Sequence, residues 1–303
     1  MSLTVGLVGC GRWGTHHLSV LKILQHQARI KDIIVCDIDE QKLKNLNATK
    51  VYRSIEEMLD QERLDAVAIV TPPETHVELV IRTLKHRIPT LVEKPLSLDR
   101  RSTEQLLEHI TSSDTIVVGY LLRHHPGIKQ IKEALEKQKF GTNLTFSYIR
   151  TTTRTKPSGA DALTSLAVHG LDLTTWFLEQ KLMEMHTNIS SSSRDNVHIH
   201  LESKHSSSAT ISVGWGADEE QRIIEINGTK GHARLDFGSG LLQWKNVDET
   251  GNRSFVEQIQ RQPLMAEWDF FLDAAMKKKP IIFPPKMELL DQIEWLHHHN
   301  DSN

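Results

Sequence analysis

Gly9-Cys10-Gly11-Arg12-Trp13-Gly14 follows the apolar run Leu3-Thr4-Val5-Gly6-Leu7-Val8 and precedes a stretch of helical character, Thr15 to Gln25. A strand, then G-x-G-x-x-G, then a helix is the order in which this motif binds dinucleotides. In that order Gly9 allows the tight turn, Gly11 lets the backbone approach a pyrophosphate, and Gly14 lets the helix pack close to the strand. Arg12 and Trp13 begin the helix, whose N-terminal N–H groups and partial positive charge suit phosphates. A glycine turn without a ligand would carry the same letters, so the residues downstream decide.

Lys31-Asp32-Ile33-Ile34-Val35-Cys36-Asp37 reads as a second strand ending in an acid. Asp37 stands at about the distance expected of the carboxylate that holds the adenosine ribose 2′-OH. A carboxylate there repels a 2′-phosphate, Asp39 and Glu40 add negative charge, and no Arg follows at once, so NAD is expected rather than NADP. Capping a loop is the plainer role for the same side chain.

The chain has 303 residues, 38% hydrophobic and 25% charged, with a formal net charge of −3. That length suggests two domains, and the composition is that of a globular protein with ample core. The charge gives no electrostatic case for nucleic acid or an anionic membrane. Lys277-Lys278-Lys279 reads as a solvated helix end, where cations suit the dipole. Cys10 and Cys36 give no disulfide framework and read as small packing residues. No apolar run is long enough to span a bilayer, and the chain opens on a strand without the grammar of a signal peptide, so a reducing cytoplasm is the expected compartment. His297-His298-His299 reads as a helix end, with no Cys or carboxylate cluster beside it to argue for a metal.

Strand and helix signals alternate over residues 1–120. Asp65-Ala66-Val67-Ala68-Ile69-Val70 is a continuous apolar strand, as when both sheet faces are covered. It runs into Thr71-Pro72-Pro73 and a helix from Glu74 to Arg87. Thr90-Leu91-Val92 leads to Glu93-Lys94-Pro95, a helix from Ser102 to Ser112 follows, and Thr115 to Tyr120 is another strand. This alternation predicts a doubly wound parallel sheet, a Rossmann domain. Residues 121–303 change character. A helix is expected over Pro126 to Lys139, a strand over Leu144 to Thr152 and a helix over Leu163 to Leu178. Strands with alternating polarity follow at 197–201 and 209–213, and a hairpin turns at Gly228-Thr229-Lys230-Gly231. Leu241 to Lys245 adds a strand, and helices over Pro263 to Lys278 and Lys286 to His298 close the chain. The Ser-rich patches 190–193 and 206–208 read as loop tips. The second domain is expected to be α+β with an open, mostly antiparallel sheet.

Four elements at these spacings carry a resemblance: the glycine fingerprint, Thr71-Pro72-Pro73-Glu74-Thr75-His76, Glu93-Lys94-Pro95, and His169-Gly170-Leu171-Asp172. Together they resemble the Gfo/Idh/MocA family of oxidoreductases over nearly the whole chain, and Asn227-Gly228-Thr229-Lys230-Gly231 resembles the family's hairpin. The resemblance implies that Thr71 and Pro72 line the nicotinamide ribose and that His76 lies near the phosphate–ribose region. It implies that Lys94 contacts that ribose and the reacting substrate hydroxyl, that Glu93 anchors the loop or the ribose, and that the Lys94–Pro95 bond is cis. Oxidising an alcohol removes a hydride from carbon and a proton from oxygen, so a base must stand beside the nicotinamide. Burial and a cationic nicotinamide would lower a lysine toward that task.

The family pattern around His169 is roughly D-x-G-x-H-x-x-D, with the His as acid–base or substrate anchor. Here Ser165 stands where the family usually has Asp, and Ala167 where it has Gly. Ser165 can hydrogen-bond a sugar hydroxyl but cannot act as a carboxylate base. Ser165-Leu166-Ala167-Val168-His169 lies closer to the D-L-A-P-H version found in members acting on nucleotide-linked sugars. Asp172 shares a helix face with His169 and, like Ser165, is expected to contact substrate. Tyr120, Arg123 and His124 match a segment near the family's active site, with Tyr120 and Arg123 expected to contact substrate. Arg150 and Arg154 could bind a substrate anion or sit exposed, and Trp268 and Phe271 read as core.

The expected activity is hydride transfer between NAD and a secondary alcohol of a sugar, cyclitol or nucleotide sugar. Two alternatives stay open: a non-catalytic dinucleotide-binding regulator of the same fold, and an NAD-assisted glycoside-cleaving enzyme. The open sheet of the second domain is expected to pack against another copy in a homodimer or homotetramer.

Overall fold

Runs of apolar, largely β-branched residues build the first sheet. The computed structural model describes residues 2–44, 46–157, 160–193, 195–204, 206–248, 251–259, 262–277 and 280–300. Met1, Lys278, Lys279 and 301–303 lie outside them. The chain divides into two compact units, Met1–Leu121 with Leu264–Ile293, and Leu122–Pro263 with Glu294–Asn303.

The first unit opens with β1 (Leu3–Val8), α1 (Arg12–His26), β2 (Ile30–Cys36), α2 (Glu40–Leu43), β3 (Lys50–Tyr52), α3 (Ile55–Gln61) and β4 (Ala66–Ile69). A 3₁₀ turn (Pro73–Thr75) leads into α4 (His76–Lys85), then β5 (Thr90–Val92), α5 (Arg100–His109) and β6 (Thr115–Val118). β4, β5 and β6 are buried at every position, as strands covered on both faces must be. On α1 the apolar residues Leu18, Leu21 and Leu24 recur at three-residue spacing and are buried. Two helix starts follow side-chain acceptors: Asp99 accepts from Ser102 N–H at α5, and Ser54 from Glu57 N–H at α3. The Asp99 cap is why α5 starts ahead of its expected position.

The second unit holds α6 (Pro126–Glu136), β7 (Thr145–Thr152), a π-helical turn (Leu163–Ala167) running into α7 (Val168–Leu178), and the strands β8 (His186–Ser193), β9 (Asn196–Glu202), β10 (Ser208–Trp215), β11 (Gln221–Asn227), β12 (Gly231–Asp236), β13 (Leu241–Asp248) and β14 (Gly251–Gln258). They form an eight-stranded sheet in the order β14-β13-β12-β11-β7-β10-β9-β8. Every pairing is antiparallel except β7 with β10. β9 alternates exposed and buried residues along its length, with Val197, Ile199 and Leu201 turned inward. α7 packs tightly on this sheet: a Cβ at Gly170 would lie 2.7 Å from the Tyr148 ring and 3.0 Å from Ile211. The rings of Phe146 and Phe177 meet edge to face, centroids 5.4 Å apart. The expected hairpin is present between β11 and β12, whereas residues 190–193, expected as a loop tip, run along the edge strand β8.

The chain ends with α8 (Pro263–Met276), β15 (Ile281–Phe283) and α9 (Lys286–Asn300). The sequence reading gave all of 121–303 to the second domain. Instead, Leu264–Ile293 belongs to the first unit. Trp268, Phe271 and Leu272 of α8 are fully buried in the same core as Leu7, Leu21 and Val35, and β15 pairs in parallel with β6. Burying one such side chain stabilises by roughly 1.5–3 kcal/mol, so these three hold the C-terminal segment on the first unit. The first sheet is thus seven parallel strands in the order β15-β6-β5-β4-β1-β2-β3. Among the described residues, no helix is long and apolar enough to cross a membrane.

Candidate active site

Parallel strands in the order β3-β2-β1-β4-β5-β6 reverse direction of winding between β1 and β4, and ligands bind beyond the carboxyl ends of the strands at such a switch. The loops that emerge there carry Gly9–Gly11, Thr71–Pro73, Glu93–Pro95 and Gly119–Tyr120. Gly9 has φ +97°, and a Cβ on it would meet the Val70 carbonyl. A Cβ on Gly14 would overlap the Gly9 carbonyl oxygen, so the helix can approach the loop only without a side chain there. Gly11 is the opposite case: no atom lies within 4 Å of where its Cβ would be, and no side chain caps α1. Open space against an uncapped helix N-terminus fits a pyrophosphate. Arg12 and Trp13 are exposed beside it.

Asp37 caps the loop and can still face a ribose. Its Oδ2 accepts from Cys10 N–H at 2.7 Å and its Oδ1 from Asp39 N–H at 2.9 Å. An ionised carboxylate has about four lone-pair sites, so two remain. Two neighbours escaped the sequence reading. Ile38 is 86% exposed, an apolar side chain left open next to Asp37, and Lys42 Nζ lies 3.8 Å from Asp37 Oδ1. Nothing in the letters marked Ile38; the spacing of Lys42 from Asp37 could have been weighed. Cys10 and Cys36 are buried as expected, and burial pushes both thiols up to about 12.

The second and third motifs turn out to be one structure. His76 is fully buried, with Nε2 2.8 Å from the Thr71 carbonyl and Nδ1 2.9 Å from the Pro95 carbonyl. It therefore ties the loop after β4 to the loop after β5. The resemblance put it near the phosphate–ribose region; the ring is buried between the two loops, with a main-chain carbonyl facing each nitrogen. Burial pushes its pKa below the ordinary value, against the two carbonyls, which favour the protonated ring. Thr71 Oγ1 meets Thr75 Oγ1 at 2.7 Å, and Thr75 Oγ1 donates to the Pro72 carbonyl at 2.8 Å, closing the turn.

The Lys94–Pro95 bond is cis, as the resemblance implied. Glu93 is buried rather than turned to a ribose: its Oε1 is 3.0 Å from His17 Nε2, and its Oε2 accepts from Lys94 N–H at 3.1 Å. Burial would raise the Glu93 carboxyl, but the bond to His17 and the nearby Lys94 hold it below the usual carboxylate value. Lys94 is half-buried, and burial pushes its ammonium below the ordinary lysine value while Glu93 opposes the shift. A lysine lowered in this way gives up its proton more readily than a solvated one, while the Glu93 charge opposes the loss. His17, three residues past Gly14, was missed by the sequence reading. Tyr120, expected on substrate, has its side chain buried within the unit.

In the second unit, Arg123 and Asp172 are both 1% exposed and grip each other: Arg123 Nε lies 3.0 and 2.9 Å from the two carboxylate oxygens, and Nη2 2.7 Å from Oδ1. The guanidinium also lies over the Trp176 ring, 5.2 Å from its centroid. Both were expected as substrate contacts. The structure pairs them with each other, because a buried charge needs a partner. Ser165 and His169 stay half-buried, four residues apart across the junction of the π-helical turn and α7. Such π turns occur often at functional sites. Arg150 sits 3.7 Å from Glu220, and Arg154 is exposed. Trp268 and Phe271 are core, as expected.

Comparison with known proteins covers both units. A family model described as the oxidoreductase family GFO_IDH_MocA, NAD-binding Rossmann fold, matches residues 3–120. The GFO/IDH/MocA C-terminal domain matches residues 128–234. Inositol 2-dehydrogenase 2 of Saccharopolyspora erythraea is 26% identical over 191 residues, 60% of this chain and 56% of that protein. The chain thus spans little more than half of that relative's length. The inositol 2-dehydrogenase/D-chiro-inositol 3-dehydrogenase of Lacticaseibacillus casei is 25% identical over 308 residues, covering 94% of this chain and 87% of the relative. The crystal structure of myo-inositol 2-dehydrogenase from Lactobacillus plantarum superposes with a TM-score of 0.81 at 18% identity, over 100% of this chain and 97% of that one, and so shares its fold.

Proposed function

Because the chain belongs to the Gfo/Idh/MocA oxidoreductase family, we propose that it moves a hydride between NAD and a secondary alcohol of a cyclitol or sugar. The observation that carries this reading is the loop after β5. Lys94 stands on a cis bond at the carboxyl end of a central parallel strand, half-buried and with its ammonium lowered, and two buried residues, His76 and Glu93, brace it. Bound NAD supplies the hydride acceptor. The chain's own residues do the rest. Gly11 and the first turn of α1 bind the pyrophosphate, Asp37 accepts from a ribose hydroxyl, and Lys94 takes the alcohol proton or returns it to the ketone.

The second unit offers His169 and Ser165, a ring nitrogen and a hydroxyl on one helical face, as the groups that hold substrate hydroxyls. Asp37 favours NAD over NADP by repelling a 2′-phosphate, with Lys42 tempering the repulsion. Cyclitols are the first substrates to try, since the relatives carry that name. Ser165-Leu166-Ala167-Val168-His169 favours a second reading, a nucleotide-linked sugar. The open eight-stranded sheet is proposed to pack on another copy of the chain, which light-scattering mass would test. Absorbance of NADH, followed with myo-inositol, free hexoses and UDP-sugars, separates the readings. NADH with any of the polyols supports the proposal. Tight NAD binding with no NADH from any of them would favour a non-catalytic role. Release of an aglycone from a glycoside without net NADH would favour cleavage.

A further inference from the structure

Beneath Lys94 lies a cluster that the proposed reaction does not use. Trp268 Nε1 is 3.2 Å from His17 Nδ1, and His17 Nε2 is 3.0 Å from Glu93 Oε1. An indole N–H only donates, so His17 Nδ1 accepts and carries no proton. The ring proton is therefore on Nε2 and is donated to Glu93. Gly119 leaves the space for that carboxylate: a Cβ there would lie 3.3 Å from Glu93 Oε1. Next to Trp268 on α8 stands Glu267, fully buried, and neither of its oxygens has a hydrogen-bond partner among the described residues. Thus α1, the loop after β5 and α8 meet through the His17 ring, and the elements it joins carry two buried carboxyl groups, Glu93 and Glu267.

We propose that Glu93 and Glu267 carry one negative charge between them, on Glu93, with Glu267 a neutral acid, and that this single charge is the counter-ion that positions the Lys94 loop and retains the Lys94 proton. Two like charges in a dry site cannot both ionise. The hydrogen bonds decide which of them does: Glu93 accepts from the His17 ring and the Lys94 amide, whereas Glu267 has neither. Burial and the Glu93 charge push the Glu267 carboxyl well above its ordinary value, and His17 and Lys94 hold Glu93 below its own. Among the described residues, the titratable groups that act on Glu93 are His17 from α1 and Lys94 from the loop, and Glu93 acts on Glu267. Glu93 and His17 are thus positioning residues, and they act through Lys94.

The part concerning Lys94 rests on the proposed reaction; the charge assignment does not. Infrared spectroscopy of the full chain near pH 7 tests the assignment without turnover. The carbonyl stretch of a protonated carboxylic acid is expected in the wild type and in Glu93→Gln, and its loss in Glu267→Gln. A wild type without the band, or a band lost in Glu93→Gln and kept in Glu267→Gln, overturns it. The kcat/KM pH profile for NAD-dependent polyol oxidation tests the link to Lys94. Removing a nearby opposite charge should move its acid limb down by about one pH unit or more in Glu93→Gln. A limb that stays in place breaks that link. Absence of turnover in the wild type refutes the proposed reaction and leaves the infrared result standing.

Discussion

In the first unit, the residues that sequence motifs single out are bonded to the backbone of the motif loops. Asp37 holds Cys10 N–H, His76 spans Thr71 and Pro95, and Glu93 holds Lys94 N–H. In the second unit, Arg123 and Asp172 hold each other and leave Ser165 and His169 as the half-buried polar pair. The difference teaches where a motif's constraint comes from. At the ends of parallel strands the constraint is the shape of a loop that must present main chain to a ligand. On α7 it is a buried charge that must be neutralised.

The largest effect is expected where the two regions differ most. Asp172→Ala leaves the Arg123 guanidinium buried without its carboxylate, a loss of about 3–5 kcal/mol. Denaturant unfolding should show it, while NAD affinity in the folded fraction stays within twofold. A large loss of NAD affinity with unchanged stability would erase the distinction between the units. His76→Ala should do the reverse. The ring's buried N–H···O=C bond is lost, worth about 0.5–1.5 kcal/mol, and the Lys94 loop loses its brace, so kcat should fall more than stability suggests. Steady-state kinetics beside thermal unfolding would measure both.

The units also differ in the sign of their pH response. Glu267 is raised above its ordinary value of 4.5, so the stability it lends is present below that pH and is lost as pH rises. His124 and His125 are pushed by burial down to about 3 and about 4. Their contribution is full above 6.5 and is lost as pH falls from there toward those values. Glu267→Gln should therefore gain on the wild type as pH rises from 5 to 8. His125→Asn, which keeps a side-chain acceptor for the Gly127 N–H, should gain as pH falls below 6.5. Unfolding midpoints across pH give both slopes, and equal slopes in the two variants would contradict the assignment. The smallest effect is expected at Asp37→Ser. Loss of the carboxylate should weaken NAD about tenfold, equivalent to ~1.4 kcal/mol, and narrow the preference over NADP. Fluorescence titration with each cofactor reads it.

The doubly wound sheet was legible because its strands are continuous apolar runs and its glycine and Pro-containing loops sit at their ends. The open antiparallel sheet was legible from the alternation in β9 and β10. What escaped depends on contacts far apart in the chain. β15 is Ile281-Ile282-Phe283, and no local signal says that it completes a sheet begun at Leu3. β3 and β8 are short or polar, so periodicity is silent about them. His17 gained its role from Trp268, 251 residues away. Arg123 and Asp172 were read as substrate contacts because sequence shows which charges exist and not which ones meet.

Lys94 is where the two readings of the first unit, binding and chemistry, come apart. The direct measurement is NAD affinity and NADH formation with myo-inositol for wild type and Lys94→Met. The account predicts an unchanged NAD dissociation constant within a few-fold and a fall in kcat of roughly 10²-fold or more, the contribution usual for a general acid–base group. Full turnover in Lys94→Met with normal NAD binding would contradict it.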